Sequence, residues 1–98
     1  MLKVMRTSYK EAIKENPSLE SSVITPLDII IKSEEWNLTR VRKQAYRSLI
    51  ENGIRVGADY VFIDNVSYIP LPLPYSQIWF FISAEARQKL KNRKRRKK

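Results

Sequence analysis

Four polar residues at helical spacing, Arg40, Lys43, Gln44 and Arg47, are the strongest candidates for chemistry in this chain. They lie in the stretch TRVRKQAYRSLIENGIRVGADY, from Thr39 to Tyr60. A helix over about 39–52 would turn all four to one side and Leu38, Val41, Ala45 and Leu49 to the other. Three cations and an amide suit phosphate oxygens and base edges. The same pattern also describes an ordinary solvated helix face, so the four residues alone do not decide between the two.

Other chemistries find little to use. The 98 residues include no cysteine and no histidine. That excludes a disulfide, a thiolate zinc site and a thiol nucleophile, and it removes the usual general base. Glu34 and Glu35 are adjacent and point about 100° apart on a helix, so they do not form a facing acid pair. Asp59 and Asp64 flank a β-prone run as metal-nuclease acids can, but no lysine or further acid follows at close spacing, and they read as loop and turn residues. Gly53 and Gly57 lack the lysine and hydroxyl of a phosphate-binding loop. Gly53 reads as a helix C-cap and Gly57 as a turn residue. The expectation is a protein that is not an enzyme, with no catalytic residue, metal or cofactor.

The net charge of +9 is unevenly placed. Residues 87–98, RQKLKNRKRRKK, hold nine of the 19 basic residues and no acid, whereas residues 1–86 carry ten of each sign. A single domain over 1–90, neutral through residue 86, followed by a disordered basic tail at 91–98 is expected. Arg93, Lys94, Arg95 and Arg96 would meet phosphates without regard to sequence, and binding through them should weaken steeply with salt. No secretory signal or membrane-spanning run stands out, so a cytoplasmic, nucleoid-associated protein that avoids membranes is expected.

The elements that would position these residues follow from the punctuation. Ser8 and Glu11 fit a capping box for a helix over 9–15, ended by Pro17. Thr25, Pro26 and Asp28 read as the start of a helix over 26–35, with Leu27, Ile30 and Ile31 buried. A short turn at 37–39, capped by Asn37 or Thr39, would join it to the basic helix as a helix-turn-helix. Tyr60–Ile63 and Tyr68–Ile69, with turn residues at 64–67, read as a hairpin or wing flanked by Arg55. Prolines 70, 72 and 74 suggest an extended loop or a sheet edge. Ile78–Ile82 reads first as a buried strand, with a helix as the alternative. Ser83 would cap a final helix over 84–94. Trp79, Phe80 and Phe81 are expected in the core, or alternatively as a contact surface for an adaptor or inhibitor.

Two resemblances accompany that order. VITPLDIII and SLIENGIRVGADYVFI resemble excisionase and MerR-type winged helices, where a Thr-Pro pair opens the first helix and the second ends at a glycine before the wing. SLIENGIRVGADYVFI with WFFISAEARQKL resembles the N-terminal domains of phage antirepressors and KilA-N/Bro-type viral proteins. The residues that match are Gly53, Gly57, Asp59, Tyr60, Phe81, Ser83, Glu85, Ala86 and Leu90. Both resemblances imply a DNA-binding protein of a phage, plasmid or other mobile element, a transcription regulator or recombination factor, that reads the major groove with Arg40, Lys43, Gln44 and Arg47. The fold expected is therefore α+β and winged-helix-like: helix-turn-helix, β-hairpin, C-terminal helix and basic tail. The partner expected is duplex DNA, with RNA open to the tail and a homodimer left open. A ribosome-associated or protein-interaction module is the alternative.

Overall fold

The computed structural model describes residues 1–90; the tail expected at 91–98, with Arg93, Lys94, Arg95 and Arg96, lies outside the described residues. The elements in order are β1 (Lys3–Met5), α1 (Tyr9–Glu15), a 3-10 turn (Pro17–Leu19), β2 (Ser21–Ser33), α2 (Leu38–Arg55), β3 (Tyr60–Leu71) and β4 (Gln77–Lys89). The strands form one mixed sheet in the order β1-β3-β4-β2. β1 runs parallel to β3, while β3 and β2 both run antiparallel to β4. This is a small α+β domain built on a sheet, and it corrects the winged-helix expectation in three places.

First, the expected helix over 26–35 is a strand, Ser21–Ser33. Six of its thirteen residues (Val23, Ile24, Thr25, Ile29, Ile30, Ile31) are β-branched, which favours a pleated surface over a helix. Leu27, Ile29 and Ile31 face inward while Asp28, Ile30 and Lys32 are exposed, a period of two. Pro26 is tolerated because β2 is an edge strand, bonded among the described residues only to β4. The helix-turn-helix therefore does not exist.

Second, there is no C-terminal helix among the described residues, because β4 continues through Ser83 to Lys89. Ile78, Phe80, Ile82, Ala84 and Ala86 are buried in strict alternation. The run of β-type alternation outweighs the looser helical spacing of Trp79, Ile82, Ala86 and Leu90. Third, the wing is not a short hairpin over 60–69. β3 passes straight through 64–67, shifting register at Asp64, and turns only after Leu71 at the proline run.

The two faces of the sheet are covered differently. Val41, Ala45 and Leu49 of α2 pack with Leu27, Ile29, Val61, Ile63 and the alternating β4 residues into the main core. On the other face, α1 and the 3-10 turn bring Ala12 and Leu19 onto Tyr60 and Phe62. Ser8 caps α1, its hydroxyl accepting the Glu11 N–H at 3.3 Å. Gly53 is not a C-cap. α2 runs past it to Arg55, and an added Cβ would stand 3.0 Å from both Leu2 Cδ2 and Val61 Cγ2. Its role is close approach of helix to sheet. The left-handed turn falls at Gly57, where φ is +76°.

Candidate nucleic-acid interface

α2 is set on the sheet by its N-cap and its buried stripe. The Asn37 side-chain oxygen accepts the Arg40 N–H at 3.2 Å, satisfying one of the helix's orphan donors. Val41, Ala45 and Leu49, at 1%, 0% and 0% exposure, hold the inner face down. Helical geometry then fixes the outer face: Arg40, Lys43, Gln44 and Arg47 are all exposed. The sequence-derived face is thus real as a surface, although the fold around it is different.

Its electrostatics are one-sided. α2 carries five cations (Arg40, Arg42, Lys43, Arg47, Arg55) and one acid, Glu51. No acid sits in its first turn, where the helix dipole is positive, and Arg40 is there instead. A cation at that end costs about 0.3–1 kcal/mol at low salt, whereas an anion brought to it is favoured. Arg40 Nη1 pairs with Glu35 Oε2 at 2.9 Å across a largely exposed contact. Lys43, Gln44 and Arg47 make no side-chain hydrogen bond or ion pair among the described residues.

The remaining candidates separate from this group. Arg55 is exposed in the last turn, about 12 Å beyond Arg47 along the helix, so it stands apart from the stripe by distance. Arg42 is exposed on the flank, about 140° from Arg47. Beyond Arg47 the outer stripe becomes apolar at Ile50 and Ile54, 41% and 62% exposed. These border a shallow groove with Met1, Leu2, Gly57 and Ala58.

One cation counted with the polybasic segment belongs to the fold. Arg87 is 9% exposed, and its guanidinium lies 3.4 Å from the Tyr9 ring centroid. It donates to the Ser21 carbonyl at 2.7 Å and pairs with Glu85. Arg87 is out of phase with the even-numbered core residues of β4 and lies beside Tyr60, on the face that α1 covers. Asp59 is likewise a structural acid: its carboxylate accepts the Lys89 N–H at 2.8 Å. Phe80 is fully buried, whereas Trp79 and Phe81 are half-buried on the opposite face, where the Lys32 ammonium lies 4.4 Å from the Trp79 ring.

Among the described residues, no group of three or more His, Cys, Asp or Glu comes together that could hold a metal ion. No helix among them is long and apolar enough to cross a membrane. Comparison with protein-family models, curated proteins and solved structures gives no match to the chain.

Proposed function

We propose that this protein binds double-stranded DNA through the outer face of α2, as a single helix backed by a sheet rather than as part of a helix-turn-helix. The observation that carries the reading is the exposure of Arg40, Lys43, Gln44 and Arg47 on one stripe of a rigidly packed helix, in a body whose residues 1–86 balance to zero charge. The stripe has no packing role, and one of its cations, Arg40, sits in the first turn, where an anion is welcome and a cation is not. A helix of this width fits the major groove. There Arg and Gln can meet purine edges while Lys meets phosphate.

From Arg40 to Arg47 the stripe is about 10 Å long, enough for about three base pairs. That is a short reading frame, so most of the affinity comes from charge. The seven cations of residues 91–98 add a contribution blind to sequence. Regulation of transcription or recombination is the use that fits a small duplex-binding protein of this kind.

Fluorescence anisotropy against duplex DNA, single-stranded DNA and hairpin RNA, at matched salt, tests the reading. A preference for duplex that disappears in the Arg40→Ala/Lys43→Ala/Arg47→Ala variant supports it. Equal binding of all three polyanions by both proteins overturns it, and leaves the tail as the only contact.

A further inference from the structure

The outer edge of β3 is open over most of its length. β1 covers only Tyr60–Phe62. From Asp64 to Pro70 every residue is exposed, and among the described residues no strand pairs with that edge. Val66, Tyr68 and Ile69 are 37%, 47% and 48% exposed. Such an edge is a template for strand addition, and proteins ordinarily guard it with lysine, proline or other charges. The opposite edge of this sheet is guarded: β2 carries Pro26, Asp28 and Lys32. Between Asn65 and Ile69, β3 carries neither charge nor proline.

We propose that this edge is closed by the same edge of a second copy of the chain, antiparallel and centred on Ser67, giving one continuous eight-stranded sheet. The segment is self-complementary in that register. Val66 faces Tyr68, a β-branched residue against an aromatic, and Asn65 faces Ile69. Asp64 faces Pro70, so each edge ends where a backbone donor is missing. The only charges on the segment, the two Asp64 carboxylates, fall at opposite ends, about 20 Å apart and beyond screening range in physiological salt. A seven-residue edge engages fewer side chains than the 20–30 per partner of a standard interface, so the dimer is weak and concentration-dependent.

The symmetry has a consequence. The two-fold of an antiparallel pair stands perpendicular to the sheet, so both copies of α2 lie on the same face. This use of the dimer rests on the DNA-binding reading above: two short reading frames on one side of a sheet would address one duplex. The edge pairing itself does not depend on it.

The absence of cysteine makes the test direct. Directly opposed residues of an antiparallel pair have Cα atoms about 4.5–5.5 Å apart, within disulfide range. Full-length Ser67→Cys, oxidised with diamide and without DNA, should form a covalent dimer at least tenfold faster than Ile30→Cys on the β2 edge. Adding Val66→Lys to the Ser67→Cys chain should suppress the cross-link. Sedimentation velocity of the unmodified chain should show the dimer growing with concentration. Equal cross-linking rates at Ser67 and Ile30, or a monomer up to millimolar concentration, overturns the proposal. Either result would leave α2 binding intact, whereas cross-linking with no duplex binding would overturn the reading of α2 instead.

Discussion

The guanidinium of Arg87 stacks 3.4 Å from the centroid of Tyr9, joining the last strand to the first helix. Around it Ser21 contributes its carbonyl and hydroxyl oxygens, and Glu85 its carboxylate. A cation so enclosed stabilises the fold through stacking and through hydrogen bonds that water cannot replace. Arg87→Ala should lower unfolding free energy by about 2–4 kcal/mol, through loss of the stacking and an unpaired Ser21 carbonyl. Arg87→Lys should recover only part, because an ammonium lacks the planar fork. Urea denaturation measures this. Unchanged stability in Arg87→Ala would return Arg87 to the solvated polybasic segment.

Gly53 separates two roles that a helical glycine can have. A C-cap in the left-handed region would be worsened by any side chain, whereas an interior helical glycine normally gains about 1 kcal/mol on replacement by alanine. Here that gain is opposed by approaches of 3.0 Å to Leu2 and to Val61, and Val61 is fully buried. Overpacking of this kind costs about 1–3 kcal/mol. Gly53→Ala should therefore destabilise the chain by about 1 kcal/mol, and Gly53→Val by more. A rise in thermal midpoint for Gly53→Ala would contradict the close approach of α2 to β3.

Among the described residues, Glu35 holds the one paired cation of the outer stripe. The pair is largely exposed, at 70% and 47% of the two side chains, so it adds little to stability. It does place a negative charge where a phosphate would come. Glu35→Ala should raise duplex affinity about two- to fivefold in low salt while leaving the urea midpoint unchanged. Weaker binding in this variant would mean that Glu35 positions Arg40 rather than competing for it.

What could be read from the chain divides along the kind of signal available. α1 and the body of α2 were legible because capping residues and a long 3.6-residue period mark them: Ser8 before Tyr9–Glu15, Asn37 before Leu38–Arg55. The exposure of Arg40, Lys43, Gln44 and Arg47 followed from that period alone. β2 was misread because Thr25, Pro26 and Asp28 imitate a helix start, a local signal that the β-branched run around it and its pairing with β4 override. The far half of β4 was misread for the opposite reason. Ser83, Ala84, Glu85 and Ala86 have good helix composition, yet pairing on both sides with β2 and β3 holds them extended. The open edge of β3 could not be read at all, since an edge is defined by which strand is missing beside it, a property of the whole sheet.

The claim that α2 is the groove-facing surface is tested most directly by the salt dependence of duplex binding, measured in a chain ending at Leu90. Removing residues 91–98 deletes seven cations and should weaken binding to every sequence. What binding persists belongs to the folded domain. In that background, Arg40→Ala/Lys43→Ala/Arg47→Ala should reduce the slope of log affinity against log salt by up to about 3, roughly 0.9 for each phosphate no longer neutralised, with the fold intact by circular dichroism. An unchanged slope and affinity in the triple variant, or the loss of all duplex binding on removal of the tail alone, would contradict the account.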